Sequence, residues 1–183
     1  SVIAPKTTHT QTINQNKITT MGKYDAYTDE ILFYGERDKS GRWIIPIEVD
    51  FDFTMTKTSQ WKDGKIEPNE LCFDVMRRFT ERYNVGWILH TMRSGDKLAE
   101  PLRIIEEHGV KLYGIGENPC ANKNKEQTSK IWAILSVDDR NIGTPLIHEE
   151  GRYRPYVDWE KVEELLTPIL EEVSHNLDKV KSV

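Results

Sequence analysis

Four short apolar runs recur along this chain, and each stops at or near polar residues. They are IPIEVDF (45–51), VGWILHT (85–91), VKLYGIG (110–116) and IWAILSVDD (131–139). Each is about one β-strand long. Apolar runs of that length without strict polar alternation fit strands covered on both faces, as in a parallel sheet. Between the first two runs lies Glu67–Asn84, with Leu71, Val75, Met76, Phe79 and Tyr83 at helical spacing and Asn69 placed to cap the start. Between the second and third lies Ser94–Gly109, another helix, in which Ser94 suits the N-cap and Gly109 the position just past the end. Strands and helices alternating in this way predict an α/β fold. We expect a three-layer, Rossmann-like parallel sheet with helices on both faces.

The ends of the chain constrain less. Residues 1–20 are rich in Thr, Gln and Asn, and such a segment buries too little to offset its ordering entropy. We expect a flexible tail over 1–22 and one α/β domain over 23–183, with an N-terminal β extension and a C-terminal helix. In the extension, ILFYGERDKSGRWIIPIEVDF suggests two strands around the turn-like DKSG. Pro46 should delay regular pairing of the second strand until about Ile47. Near the C-terminus, Trp159, Val162, Leu165, Leu166, Ile169, Leu170, Val173 and Leu177 keep helical spacing. Thr167-Pro168 resembles a cap and first-turn pair, so a kink or a break into two helices is expected there.

A net charge of −5 argues against a dedicated nucleic-acid coat or membrane-surface binder. No apolar run reaches the roughly 18 residues of a membrane span, and the first 20 residues lack the apolar core of a signal peptide. Cys72 and Cys120 stand in unrelated contexts and read as free thiols in a reducing compartment, so a cytoplasmic protein is expected.

In a sheet of this kind ligands bind outside the carboxyl ends of the strands. Here the polar clusters fall at those ends: Asp50 and Asp52 after the first run, Thr91 to Ser94 after the second, Asp138 and Asp139 after the fourth. Carboxylates gathered at one sheet edge repel one another unless a cation neutralises them. An all-oxygen set without His or Cys companions favours Mg²⁺ over Zn²⁺. The hydroxyl and backbone N–H groups of Thr91-Met92-Arg93-Ser94, at the opening of a helix, suit phosphate oxygens. Taken singly, each of these features is more often a solvated turn or an ion pair than a site. Arg93 and Arg140 fit a substrate phosphate or a nearby aspartate equally well, and His90 reads better as a satisfied histidine at the core or the sheet edge. The three clusters together point to phosphoryl chemistry.

VDFDFTMT, LHTMRSG and VDDRNIG, in that order, resemble the signature motifs of the haloacid dehalogenase-like (HAD) phosphohydrolases, especially small cap-less members of bacterial and phage origin. The resemblance spans about 47–166. It implies Asp50 as the nucleophile that forms an aspartyl-phosphate, and Asp52 as general acid and then base. It implies that Thr54 holds the loop and that Thr91, with Met92, Arg93 and Lys130, meets the phosphoryl group. Mg²⁺ would be held by Asp50, the backbone carbonyl of Asp52, Asp138 and Asp139. Lys130 is the preferred motif lysine, with Lys123 and Lys125 as alternatives. The position after the second aspartate is commonly Gly in this family and is Phe53 here, a costly residue if the loop needs positive φ. No stretch is long enough for a large cap domain. Such openness implies large or polymeric substrates, or closure by a partner subunit in a homo-oligomer. The expected partner is a phosphorylated small molecule or a nucleic-acid end, with no membrane. The expected function is Mg²⁺-dependent phosphomonoester hydrolysis. The alternatives are a phosphatase of nucleotides or nucleic-acid ends, since TMRSG and DDR resemble the polynucleotide kinase phosphatase domain, and a HAD-fold binding module without turnover.

Overall fold

In a computed structural model the described residues are 22–117, 119 and 130–180. The expected tail therefore lies outside the described residues, apart from Gly22, as do Cys120, Lys123 and Lys125. The elements are α1 (Asp25–Tyr34), β1 (Ile45–Val49), α2 (Gln60–Asp63), α3 (Glu70–Tyr83), β2 (Val85–Leu89), α4 (Asp96–Glu107), β3 (Leu112–Ile115), β4 (Leu135–Val137), β5 (Leu146–Ile147), β6 (Tyr156–Val157) and α5 (Trp159–Lys179).

All four apolar runs become strands of one parallel sheet, in the order β3-β2-β1-β4, flanked by helices. This is the expected α/β, Rossmann-like architecture. β1 and β2 sit in the middle, and all five residues of β2 are buried. Trp87 of β2 meets the Trp159 ring at 6.2 Å and donates its indole N–H to the Met76 carbonyl, joining the sheet to α5 and α3. The core runs through Ile47, Val49, Phe73, Met76, Trp87 and Leu170, all fully buried. The connection from β1 to α3 carries just the four-residue α2.

Local expectations at four places are corrected. Ile31 to Tyr34, expected in the first strand, instead end a helix over Asp25–Tyr34. Ile31 and Thr28 bury one helical face, α1 packs on α5, and Glu172 accepts from the Tyr24 N–H. The β-prone letters ILFY yield to that tertiary contact. The DKSG turn does form: Asp38 accepts from the Ser40 and Arg42 N–H groups, and Arg37 and Trp43 pair as an isolated antiparallel bridge. Pro46 does not delay pairing with β2, which is regular from Ile45. Its carbonyl accepts from Ile134 N–H, so its missing N–H points to the side where β4 pairs only from Leu135 opposite Ile47. The last helix is not divided at Thr167-Pro168. α5 runs 21 residues through Pro168, because Val162, Leu166, Leu170, Val173 and Leu177 bury one continuous stripe. Finally, Leu71 is exposed, and Asn69 donates across to the Val157 carbonyl instead of capping α3.

Candidate active site

The strand ends are fastened to one another before any side chain matters. Asp50 N–H donates to the Val137 carbonyl, His90 N–H to Val49, and Gly116 N–H to Leu89. The chain then turns sharply after β1, with the Thr54 and Met55 N–H groups donating to the Phe51 carbonyl. Thr54 is fully buried and ties two loops: its hydroxyl accepts from Asp139 N–H at 3.0 Å, and its carbonyl accepts from Trp159 Nε1 at 2.7 Å.

Phe53 adopts φ 60, the left-handed conformation that a glycine takes freely. The surrounding structure over-determines it. Its N–H donates to Thr56 Oγ1, its carbonyl accepts from Val157 N–H of β6, and its ring is buried with the Arg154 guanidinium 5.2 Å above the ring centroid. Strain of about 1–3 kcal/mol persists where such contacts hold it.

The turn leaves one carboxylate oxygen from each of Asp50, Asp138 and Asp139 within 4.8 Å of the others. Burial pushes the Asp50 carboxyl up to about 7, and the neighbouring Asp138, Asp139 and Asp52 charges add to the rise. Asp139 is likewise raised, by burial above all, although Arg154 pairs with it and pulls the other way. Among the described residues no guanidinium or ammonium pairs with Asp50 or Asp138. Asp138 Oδ1 instead accepts from the Arg140 N–H. A partly buried all-oxygen set at this spacing fits a small hard cation with open positions.

Asp52 lies apart from that cluster. Arg93 holds it in a two-pronged ion pair, Nε to Oδ2 at 2.8 Å and Nη2 to Oδ1 at 2.6 Å. Of the two readings of Arg93, the ion pair with an aspartate is the one seen. Thr91 Oγ1 accepts from the Arg93 N–H, and Met92 is exposed. His90 is exposed at the sheet edge and paired with Glu48.

These groups line an open cavity of about 410 Å³ that brings together Asp50, Asp52, Thr91, Met92, Asp138 and Asp139. Arg93 reaches it through Asp52. Lys130 is exposed at the entry to β4 and is not among the lining residues. Sequence reasoning missed Trp61, Tyr153 and Arg154, which also line the cavity. The last two come from GRYRPY between β5 and β6, where Gly151 at φ 81 allows the turn. The alternation of Arg with Tyr beside a turn glycine was the available signal.

A solved structure of a conserved protein from Bacteroides thetaiotaomicron is similar in fold. The match has a TM-score of 0.53 at 21% sequence identity and covers 68% of this chain and 91% of that one. At that identity the likeness concerns the fold alone. No protein-family model matches the chain, and no curated protein does. Among the described residues no helix is long and apolar enough to cross a membrane.

Proposed function

We propose that this chain is a Mg²⁺-dependent phosphomonoester hydrolase of haloacid dehalogenase-like type that works through an aspartyl-phosphate. The observation that carries the proposal is the cluster of Asp50, Asp138 and Asp139 at the carboxyl ends of β1 and β4, with the Asp50 carboxyl raised to about 7. The Asp50, Asp138 and Asp139 carboxylates and the Asp52 carbonyl would hold the cation. When bound, it supplies positive charge that keeps these carboxylates ionised and offsets charge on phosphate oxygens.

The remaining chemistry belongs to the chain. The Asp50 carboxylate attacks phosphorus, and the P–O bond to the leaving group breaks. Asp52 gives the leaving oxygen a proton, then takes one from the water that cleaves the aspartyl-phosphate, so inorganic phosphate leaves and Asp50 is restored. Thr91 donates its hydroxyl to a phosphoryl oxygen. Arg93 occupies both Asp52 oxygens, so Asp52 can reach the leaving oxygen only once that two-pronged ion pair opens. An incoming phosphate dianion is a natural competitor for Arg93. Lys130 remains the proposed motif lysine.

Release of phosphate from an aryl phosphate in the presence of Mg²⁺ tests the proposal. Loss of release in chelator and in Asp50→Asn is the expected result. Undiminished turnover by Asp50→Asn would sink it.

A further inference from the structure

The cavity has a rim that folding does not explain. Of the five tryptophans in the chain, Trp61 alone is among the exposed residues, at 83%. It sits on α2, which buries none of its four residues. Tyr153, 57% exposed, lines the same cavity. The Lys62 ammonium lies 4.5 Å from the Tyr153 ring centroid and 5.9 Å from that of Trp61, so one cation joins both rings in a single patch.

The loops that present these rings are braced. On the Trp61 side, the buried hydroxyl of Thr58 donates to the Lys65 carbonyl and accepts from the Glu67 N–H, while Thr56 and Pro68 close the loop as a bridge. On the Tyr153 side, Glu149 accepts from both Tyr156 and Arg152. Arg152 then reaches across to both Glu67 oxygens at 3.3 Å, binding one loop to the other. Exposed aromatic rings carried on braced loops suit a flat π-face, because little loop entropy is left to lose on stacking.

We infer that Trp61 and Tyr153, with Lys62 between them, form a nucleobase-stacking subsite, and that the phosphomonoester cleaved on the cavity floor is carried by a nucleotide. This rests on the hydrolase proposal for the reaction, though not for the binding. The rings stand at the mouth and the carboxylates lie partly buried, so a ring separated from its phosphate by a sugar fits better than a phosphotyrosine, whose ring would sit on the floor. The shared chemistry belongs both to a free mononucleotide and to the phosphorylated end of a single strand.

The test uses the full chain with Mg²⁺. The ratio of kcat/KM for adenosine monophosphate, or for a 5′-phosphorylated oligothymidine, to that for glycerol phosphate is measured before and after Trp61→Ala and Tyr153→Ala. A fall of roughly tenfold to a hundredfold in either ratio is expected. The arm that falls further tells a free nucleotide from a strand end. Unchanged ratios overturn the subsite. In parallel, both nucleotide probes are titrated into Asp50→Asn protein with and without Trp61→Ala. Weaker binding in the Trp61→Ala background supports stacking even if no turnover is ever seen, which separates failure of this inference from failure of the hydrolase proposal. Equal affinity in the two backgrounds refutes it.

Discussion

The floor and the rim of the cavity are built on opposite principles. The floor gathers Asp50, Asp138 and Asp139, partly or wholly buried, and burial above all, with like charges adding to it, raises two of the carboxyls. The rim exposes Trp61 and Tyr153 and braces their loops with ion pairs that water also reaches. The floor is therefore costly to fold and gains most from a cation. The rim costs the fold little, and on the proposed reading it gains only when a flat ligand arrives. This difference predicts that floor substitutions act on stability and chemistry together, whereas rim substitutions act on selectivity.

The largest effect should come from Asp50→Asn. Loss of the proposed nucleophile is expected to lower kcat by at least about a thousandfold. The same change removes the most strongly perturbed charge from the floor, so the metal-free protein should melt at a higher temperature than the parent. A variant both inactive and less stable would contradict a floor that is costly to fold.

Next in size is the pH dependence of metal-free stability. A carboxyl whose folded pKa lies above its unfolded value binds its proton more tightly in the native state. For Asp50 this stabilisation is complete below the unfolded value near 3.8 and is lost as pH rises to about 7. Asp139 is shifted in the same direction. Denaturant unfolding in chelator should therefore show stability falling across that window, by up to about 4 kcal/mol. Added Mg²⁺ should restore most of the loss near neutral pH, and Asp50→Asn should flatten the profile. A profile that rises through the same window would contradict the floor electrostatics.

Much of the floor was legible in the sequence because it is written at strand ends. Four apolar runs fix four strands, the parallel topology fixes which ends meet, and the aspartates follow directly in the chain. Even Phe53 was legible as the awkward letter, and it does take the left-handed conformation. The rim was not legible. Trp61 stands in QWKDG, too short for any periodicity, and Arg154 reaches Asp139 and the Phe53 ring only because β6 docks on the turn after β1, about a hundred residues earlier. The same limit explains α1. Its letters favour a strand locally, and its helix exists because Ile31 has a buried place to go and α5 offers a packing face. Pro168 teaches the converse, since an apolar stripe on both sides of the proline carries α5 through it.

Arg154 belongs to both regions and probes the boundary between them. Its guanidinium pairs with buried Asp139 and lies over Phe53. Arg154→Ala leaves that carboxylate without its counter-charge and should cost about 2–3 kcal/mol in chelator, less than full burial of both partners would give. Asp139→Asn in the same background should recover most of it, because the unpaired charge is then gone. Mg²⁺ should also rescue the single variant, by replacing one positive charge with another.

The smallest effect should come from the brace that joins the two rim loops. Arg152 joins Glu67 on one loop to Glu149 on the other, and all three side chains are partly solvated. Surface ion pairs of this kind contribute little to global stability, so Arg152→Ala should leave the melting temperature nearly unchanged. The two aromatic loops would then move independently, and a nucleotide would have to order them on binding. That ordering cost should raise KM for adenosine monophosphate about twofold to fivefold while kcat stays within a factor of about two. Glycerol phosphate, which has no ring to place, should show no such rise in KM. A matched loss of kcat on both substrates would mean that the brace supports the floor as well, and that floor and rim are one mechanical unit.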